Sequence, residues 1–190
     1  VLFRSPKAAR FACGIRRPFG RVTPVMTAPA ARPSPTGQLL VLAGLIALCL
    51  AVGALGALAT AQSVGTWYQT LAKPSFNPPD RVFGPVWTAL YVLMAVAAWL
   101  AWRSAGWRAA RPALMLFALQ LALNLGWSLL FFGARWIGGA LVEVVLLWFA
   151  IAATIAAFRR HSQWAGILMM PYIAWVTFAT ALNFAIWRLN

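Results

Sequence analysis

The residues able to do chemistry in this chain recur at helical spacing inside apolar stretches. Gln120, Asn124 and Ser128 follow one another at intervals of four, which sets them along one side of a helix, with Trp127 beside them. Tyr172, Trp175, Ala179 and Asn183 make a similar stripe, and Trp87 opens another apolar stretch. Glu143 is the one acid within such a stretch. Side chains of these kinds can stack on a flat ring and offer it a few hydrogen bonds, which is how ligand pockets are lined. Hydrolysis has no comparable support. The single histidine, His161, stands in a loop beside Arg159 and Arg160 and pairs with no recognisable nucleophile. The sequence has no phosphate loop or metal-ligand cluster, and Cys13 and Cys49 are placed for neither a disulfide nor a metal. No catalytic residue and no obligatory cofactor is expected.

The same residues have a plainer reading. A stripe of Asn and Ser in a membrane helix also serves as glue between helices. Trp67, Trp99, Trp102, Trp107, Trp136, Trp164 and Trp187 lie near the ends of apolar stretches, where tryptophan anchors a helix at the membrane surface. Trp87, Trp127, Trp148 and Trp175 do not fit that description. An acid inside a membrane is costly and marks function by default, although Glu143 could instead bond a backbone group or reach interfacial water.

The elements that must position these residues are membrane helices. The chain is 63% hydrophobic and only 9% charged, against about 25% charge in a soluble domain. Five apolar stretches, at about 39–61, 85–102, 112–132, 137–158 and 164–187, approach the ~20 residues needed to cross a bilayer. The expected fold is therefore all-α, a bundle of five transmembrane helices. Gly53 and Ala57, and Ala47 and Ala51, are small residues spaced for close helix approach. Pro85 and Pro112 open their spans, whereas Pro171 is expected to kink the last.

Between the first and second spans lies Trp67–Tyr91, polar and rich in proline, with Pro74, Pro78, Pro79 and Pro85 ahead of Trp87. So stiff and aromatic a stretch reads as a lid rather than a tether. Alternating helix direction puts Trp87, Asn124, Trp127, Ser128, Glu143, Ala179 and Asn183 at mid-membrane or in the half beneath it. The expectation is an aromatic pocket capped by this Pro-rich loop.

The formal charge of +14 is a topology signal rather than a sign of nucleic-acid binding. Arg4, Lys7, Arg10, Arg16, Arg17, Arg21 and Arg32 precede the first span, and the other basic residues sit at span ends or in short loops. Arg103, Arg108, Arg111, Arg159 and Arg160 share the N-terminal side, which places that side in the cytoplasm. The lid then faces outward, and a bacterial inner membrane is the default, since the outer membrane is home to barrels. Residues 1–36 are basic, proline-rich and without acids, and read as a disordered tail beside the 37–190 membrane domain. The opening VLFRS resembles translated adapter sequence, with a native start at Met26; a transit peptide is the rival reading.

The motifs resemble one family. WYxxLxKPxxxPP from Trp67, VFGPVWTxLYxxM at Val82–Met94, QLxLNxxWSxxFFG at Gln120–Gly133, LVE at Leu141–Glu143 and PYxxWxxFATxLNxxIxxLN at Pro171–Asn190 are similar, in order, to the TspO/MBR family of tryptophan-rich sensory and translocator proteins. The resemblance implies a five-helix bundle in contact with membrane lipid, often a homodimer, that binds a porphyrin such as protoporphyrin IX or haem and acts as sensor or carrier. By motif position it implies a pocket of Tyr68, Pro78, Trp87, Asn124, Trp127, Ser128, Trp175 and Ala179. Trp87 and Trp175 are similar to tryptophans implicated in porphyrin photodegradation, so a light- or oxygen-dependent porphyrin-degrading protein is an alternative. Transport of a sterol-type ligand is another, but the pattern for it lacks its tyrosine, since Phe184 stands between Leu182 and Arg188.

Overall fold

The computed structural model describes residues 34–190, all helix and loop. The expectations of a disordered tail, a start at Met26 and a transit peptide concern residues that, but for 34–36, lie outside that range. Helix α1 spans Pro35–Val64 and begins earlier than the apolar run, because the Ser34 hydroxyl accepts from the Gly37 N–H at 3.2 Å and Pro35 occupies the first turn. At about 1.5 Å per residue its 30 residues reach about 45 Å, longer than the apolar core of a bilayer. Leu39, Leu40, Leu48, Leu55 and Leu58 are exposed, as lipid-facing leucines are. Gly53 and Gly56 face inward: a side chain at Gly53 would meet the ring of Tyr91, and one at Gly56 the hydroxyl of Ser128. The glycine pair, rather than Gly53 with Ala57, is what lets α1 approach its neighbour.

A short helix α2 (Trp67–Thr70) and a 3-10 turn (Asp80–Val82) bracket the proline-rich stretch. The loop between them is built rather than slack. Tyr68 Oη donates to Asn77 Oδ1 at 3.0 Å, Gln69 Nε2 donates to Asp80 Oδ2 at 3.0 Å, and the Asn77 N–H closes a turn on Pro74 O at 3.0 Å.

The second and third spans are joined into one helical run, α3 (Phe83–Ser128). Its 46 residues would reach about 69 Å if straight, far more than a bilayer. Gly106, at φ 75 and ψ 171, reverses it, a conformation open essentially to glycine alone. The halves, 83–105 and 107–128, then run side by side: Tyr91 reaches Asn124, and Gln120 Nε2 lies 3.9 Å from Met94 Sδ. Because Gly106 turns the chain at once, Pro112 sits inside the third helix instead of opening it. The turn also folds Trp107 over Trp102, ring centres 5.3 Å apart. Trp102 is thereby only 2% exposed, a core residue and not the surface anchor its position implied.

At its far end α3 loosens into a π-turn, Leu129–Gly133, and the chain reverses through Arg135, at φ 56, into α4 (Ile137–Arg159). The last span is α5 (Gln163–Leu168) followed by α6 (Met170–Leu189). The break falls at Met169, and Pro171 occupies the first turn of α6, where no N–H is needed. The membrane-crossing helices are thus α1, the two halves of α3, α4 and α5–α6, five in all. Trp99 Nε1 donates to Gln38 O at 3.0 Å at one end of the bundle, and the Asn190 side chain meets Ala72 at the other. The Gly106 turn therefore shares an end with the start of α1, and the proline-rich loop lies at the opposite end.

Candidate ligand-binding site

Beneath that loop is a cavity of about 550 Å³, within the usual range for small-molecule sites. Tyr68, Trp87, Asn124, Trp127, Ser128, Trp175 and Ala179 all line it. Pro78 is not among the lining residues; it stays in the loop, where its carbonyl accepts from Asn77 Nδ2 at 3.2 Å.

A hydrogen-bonded floor holds these walls in place. Tyr91 Oη donates to Asn124 Oδ1, and Asn124 Nδ2 donates to Tyr172 Oη at 3.2 Å, so one amide ties both halves of α3 to α6. Trp127 Nε1 donates to Asn183 Oδ1 at 3.1 Å, and Asn183 Nδ2 donates to Ile137 O at 3.1 Å, which adds α4. The polar stripes of the third and fifth spans therefore act as glue and as lining together. Gln120, at the bottom of its stripe, is fully buried and does not reach the cavity.

The aromatic wall is dense. Trp87 meets Tyr91 at 5.7 Å and Tyr172 at 6.2 Å. Trp127 stacks on Phe131 at 5.3 Å, and Trp175 lies edge-on to Phe83 at 5.8 Å. Of the three cavity indoles, Trp127 has its N–H bonded, to Asn183, whereas Trp175 Nε1 is buried within the protein without a hydrogen-bond partner among the described residues. Asp80 is the charged residue of the lining, and its carboxylate is engaged by Gln69. Burial, reinforced by the Asp80 charge, pushes the Tyr68 phenol up to about 12 despite its bond to Asn77. Tyr68 is thus a neutral donor across the physiological range. Lys73 stands over the Tyr68 ring at 4.6 Å and Arg135 over the Trp67 ring at 5.9 Å, so the mouth is basic.

Family membership follows from the sequence as a whole. The profile of the TspO/MBR family matches residues 45–188. This chain belongs to the TspO/MBR family. It is 47% identical over 155 residues to the tryptophan-rich protein TspO of Chlorobaculum tepidum, covering 80% of this chain and 98% of that one. It is 46% identical over 127 residues to the human translocator protein, 65% of this chain and 75% of the human one. The tryptophan-rich sensory protein of Cereibacter sphaeroides is 45% identical over 124 residues, 65% of this chain and 77% of its own length.

Within this TspO/MBR bundle, sequence reasoning missed one wall of the cavity. Gly53, Gly56, Ala57 and Thr60 of α1 line it, as do Tyr91, Phe131 and Phe132. The small residues of α1 were visible, but small residues meeting a neighbouring helix and small residues facing a void look alike in sequence. The adjacent phenylalanines both face the cavity because the π-turn widens the helix at that point, with Ala134 N donating to Leu129 O at 2.7 Å. Two residues named in the sequence lie elsewhere. Trp148 Nε1 donates to Thr177 Oγ1 at 2.8 Å on the outer α4–α6 surface. Glu143 packs against Gly126, with both carboxyl oxygens buried and without partners among the described residues.

Proposed function

We propose that the cavity binds a flat, mainly apolar tetrapyrrole of the protoporphyrin IX class, and that the protein is a membrane sensor or carrier for it. The observation that carries this reading is the 550 Å³ space walled by Trp87, Trp127 and Trp175 and floored by the hydrogen bonds of Asn124 and Asn183. Indole faces stack on an extended π-system, and Trp87, Trp127 and Trp175 bring three of them to one space. The lining contains no imidazole, thiol or thioether, and its phenols, Tyr68 and Tyr91, are already hydrogen-bonded to Asn77 and Asn124, so a metal-free porphyrin suits it better than haem, whose iron seeks such a ligand. Protoporphyrin IX is expected to quench tryptophan fluorescence saturably in the purified protein, and Trp87→Phe with Trp175→Phe to weaken that binding about tenfold, the loss of roughly 1.4 kcal/mol of stacking. Linear, unsaturable quenching overturns the reading.

A second reading, light-driven breakdown of the bound porphyrin, is favoured by the contact of Trp87 with the electron-rich rings of Tyr91 and Tyr172. Bleaching in light but not in darkness, lost in Trp87→Phe, is its signature. In both readings the protein sits in a bacterial cytoplasmic membrane with the Gly106 turn inside, the side that carries Arg103, Arg108, Arg111, Arg159 and Arg160. Pairing with a second copy is part of the same proposal and rests on the family resemblance; cross-linking in native membranes tests it.

A further inference from the structure

We infer that Asn190 is a positioning residue of the cavity: its side-chain amide clasps the proline-rich loop to the end of α6 and sets the rate at which the loop parts from the bundle. Its meaning for a ligand rests on the binding reading above; its geometry does not. Asn190 Oδ1 accepts from the Ala72 N–H at 3.0 Å, and Asn190 Nδ2 donates to the Ala72 carbonyl at 3.1 Å. One side chain thus satisfies both backbone groups of a residue 118 positions away, as a neighbouring strand would. The same Nδ2 donates to Ile186 O at 2.9 Å, which fixes the amide to the last turn of α6.

Both ends of this clasp touch the cavity wall. Ile186 lines the cavity from α6, and Tyr68, a few residues before Ala72, lines it from the loop side. The other side-chain hydrogen bonds of the loop close within the stretch, Tyr68 to Asn77, Gln69 to Asp80 and Asn77 to Pro78, except that Gln69 Nε2 also donates to Val64 O at the end of α1, at 3.0 Å. Phe76 against Phe178, ring centres 6.3 Å apart, adds an apolar contact beside the clasp. The loop is therefore a stiff body: its Trp67–Tyr68 end packs on Phe131 and Phe132, and its Ala72 side is hydrogen-bonded to α6 at Asn190. The pinning bonds are exposed, so water competes for them and they open reversibly. Opening them frees the Ala72 side of the loop to swing away from α6 without breaking its internal turns.

The test compares the full chain with its Asn190→Ala variant in detergent, with protoporphyrin IX as the probe and stopped-flow tryptophan quenching as the readout. Two hydrogen bonds of ordinary net strength correspond to about a tenfold change, so association and dissociation are both expected to quicken about tenfold while Kd moves less than about threefold. Asn190→Asp keeps the acceptor for the Ala72 N–H and loses the donated bonds, and its rates are expected between the two. Unchanged rates overturn the inference, as does a weakened Kd at an unchanged association rate, which is the mark of a merely structural or direct contact. If protoporphyrin IX fails to bind the unaltered protein, the functional proposal falls and the clasp is judged separately. For that, Cys13 and Cys49 are replaced by Ala, Ala179→Cys is introduced, and maleimide labelling is timed. Faster labelling with Asn190→Ala supports the clasp, and equal labelling rejects it.

Discussion

Asn124 is the residue on which the site turns. Its amide takes the proton of Tyr91 and gives one to Tyr172, so that a single side chain spends both of its faces on phenols from different helices. Replacing it with Ala leaves two buried hydroxyls without this partner. Each costs about 1–3 kcal/mol, so Asn124→Ala is expected to lower stability by at least about 2 kcal/mol, read as a fall in the thermal midpoint in detergent. Tyr68 gives a pH prediction. Its phenol ordinarily ionises near 10 and is raised to about 12 in the fold, so above pH 10 the unfolded chain sheds a proton that the folded one keeps. Stability from this group is complete below pH 10 and is lost as pH climbs towards 12. Tyr68→Phe is expected to flatten that alkaline decline; a decline of equal depth in the variant counts against the assignment.

Among the elements, the proline-rich loop and the Gly106 hinge make opposite demands. Pro78 and Pro79 limit the conformations the loop can sample, and replacing both with Ala is expected to speed porphyrin exchange more than it alters equilibrium affinity. Gly106 holds backbone angles that a Cβ opposes, and Gly106→Ala is expected to cost about 1–3 kcal/mol in thermal unfolding. The contrast between these elements also measures how far the sequence could be read. The five spans were legible because each is an apolar run of near-bilayer length, and the aromatic and amide positions were legible because helical spacing repeats. The continuity of the second and third spans was not, because the arginine-bearing residues 103–111 read as a loop, although only Gly106 among them leaves helical angles. The π-turn was equally hidden: nothing in LLFFG distinguishes a wide turn from a regular one. Trp102 was misplaced for the same reason as Pro112, since both lie beside a turn whose position only the fold fixes.

For the molecule as a whole, the membrane decides what is tolerable. Glu143 is buried between the second half of α3 and α4, close to Gly126, with no hydrogen-bond partner among the described residues. A carboxylate in that position is costly, and a neutral amide of the same shape costs less. Glu143→Gln is accordingly expected to leave the fold intact with stability unchanged or raised by about 1 kcal/mol, measured by thermal unfolding; a loss of several kcal/mol would show that the charge is wanted there. The cavity, the loop and the basic mouth at Lys73 and Arg135 all lie at one end, so the protein presents its recognition chemistry to one side of the bilayer.

The reversal at Gly106 has a consequence for how the chain is made. The two halves of α3 are joined by a short stretch that carries Arg103, Arg108 and Arg111, so they form a hairpin whose turn stays on the side of those charges. Everything the contact between Tyr91 and Asn124 needs lies within that hairpin. Only Tyr172, the other partner of Asn124, has to come from α6, the last helix in chain order.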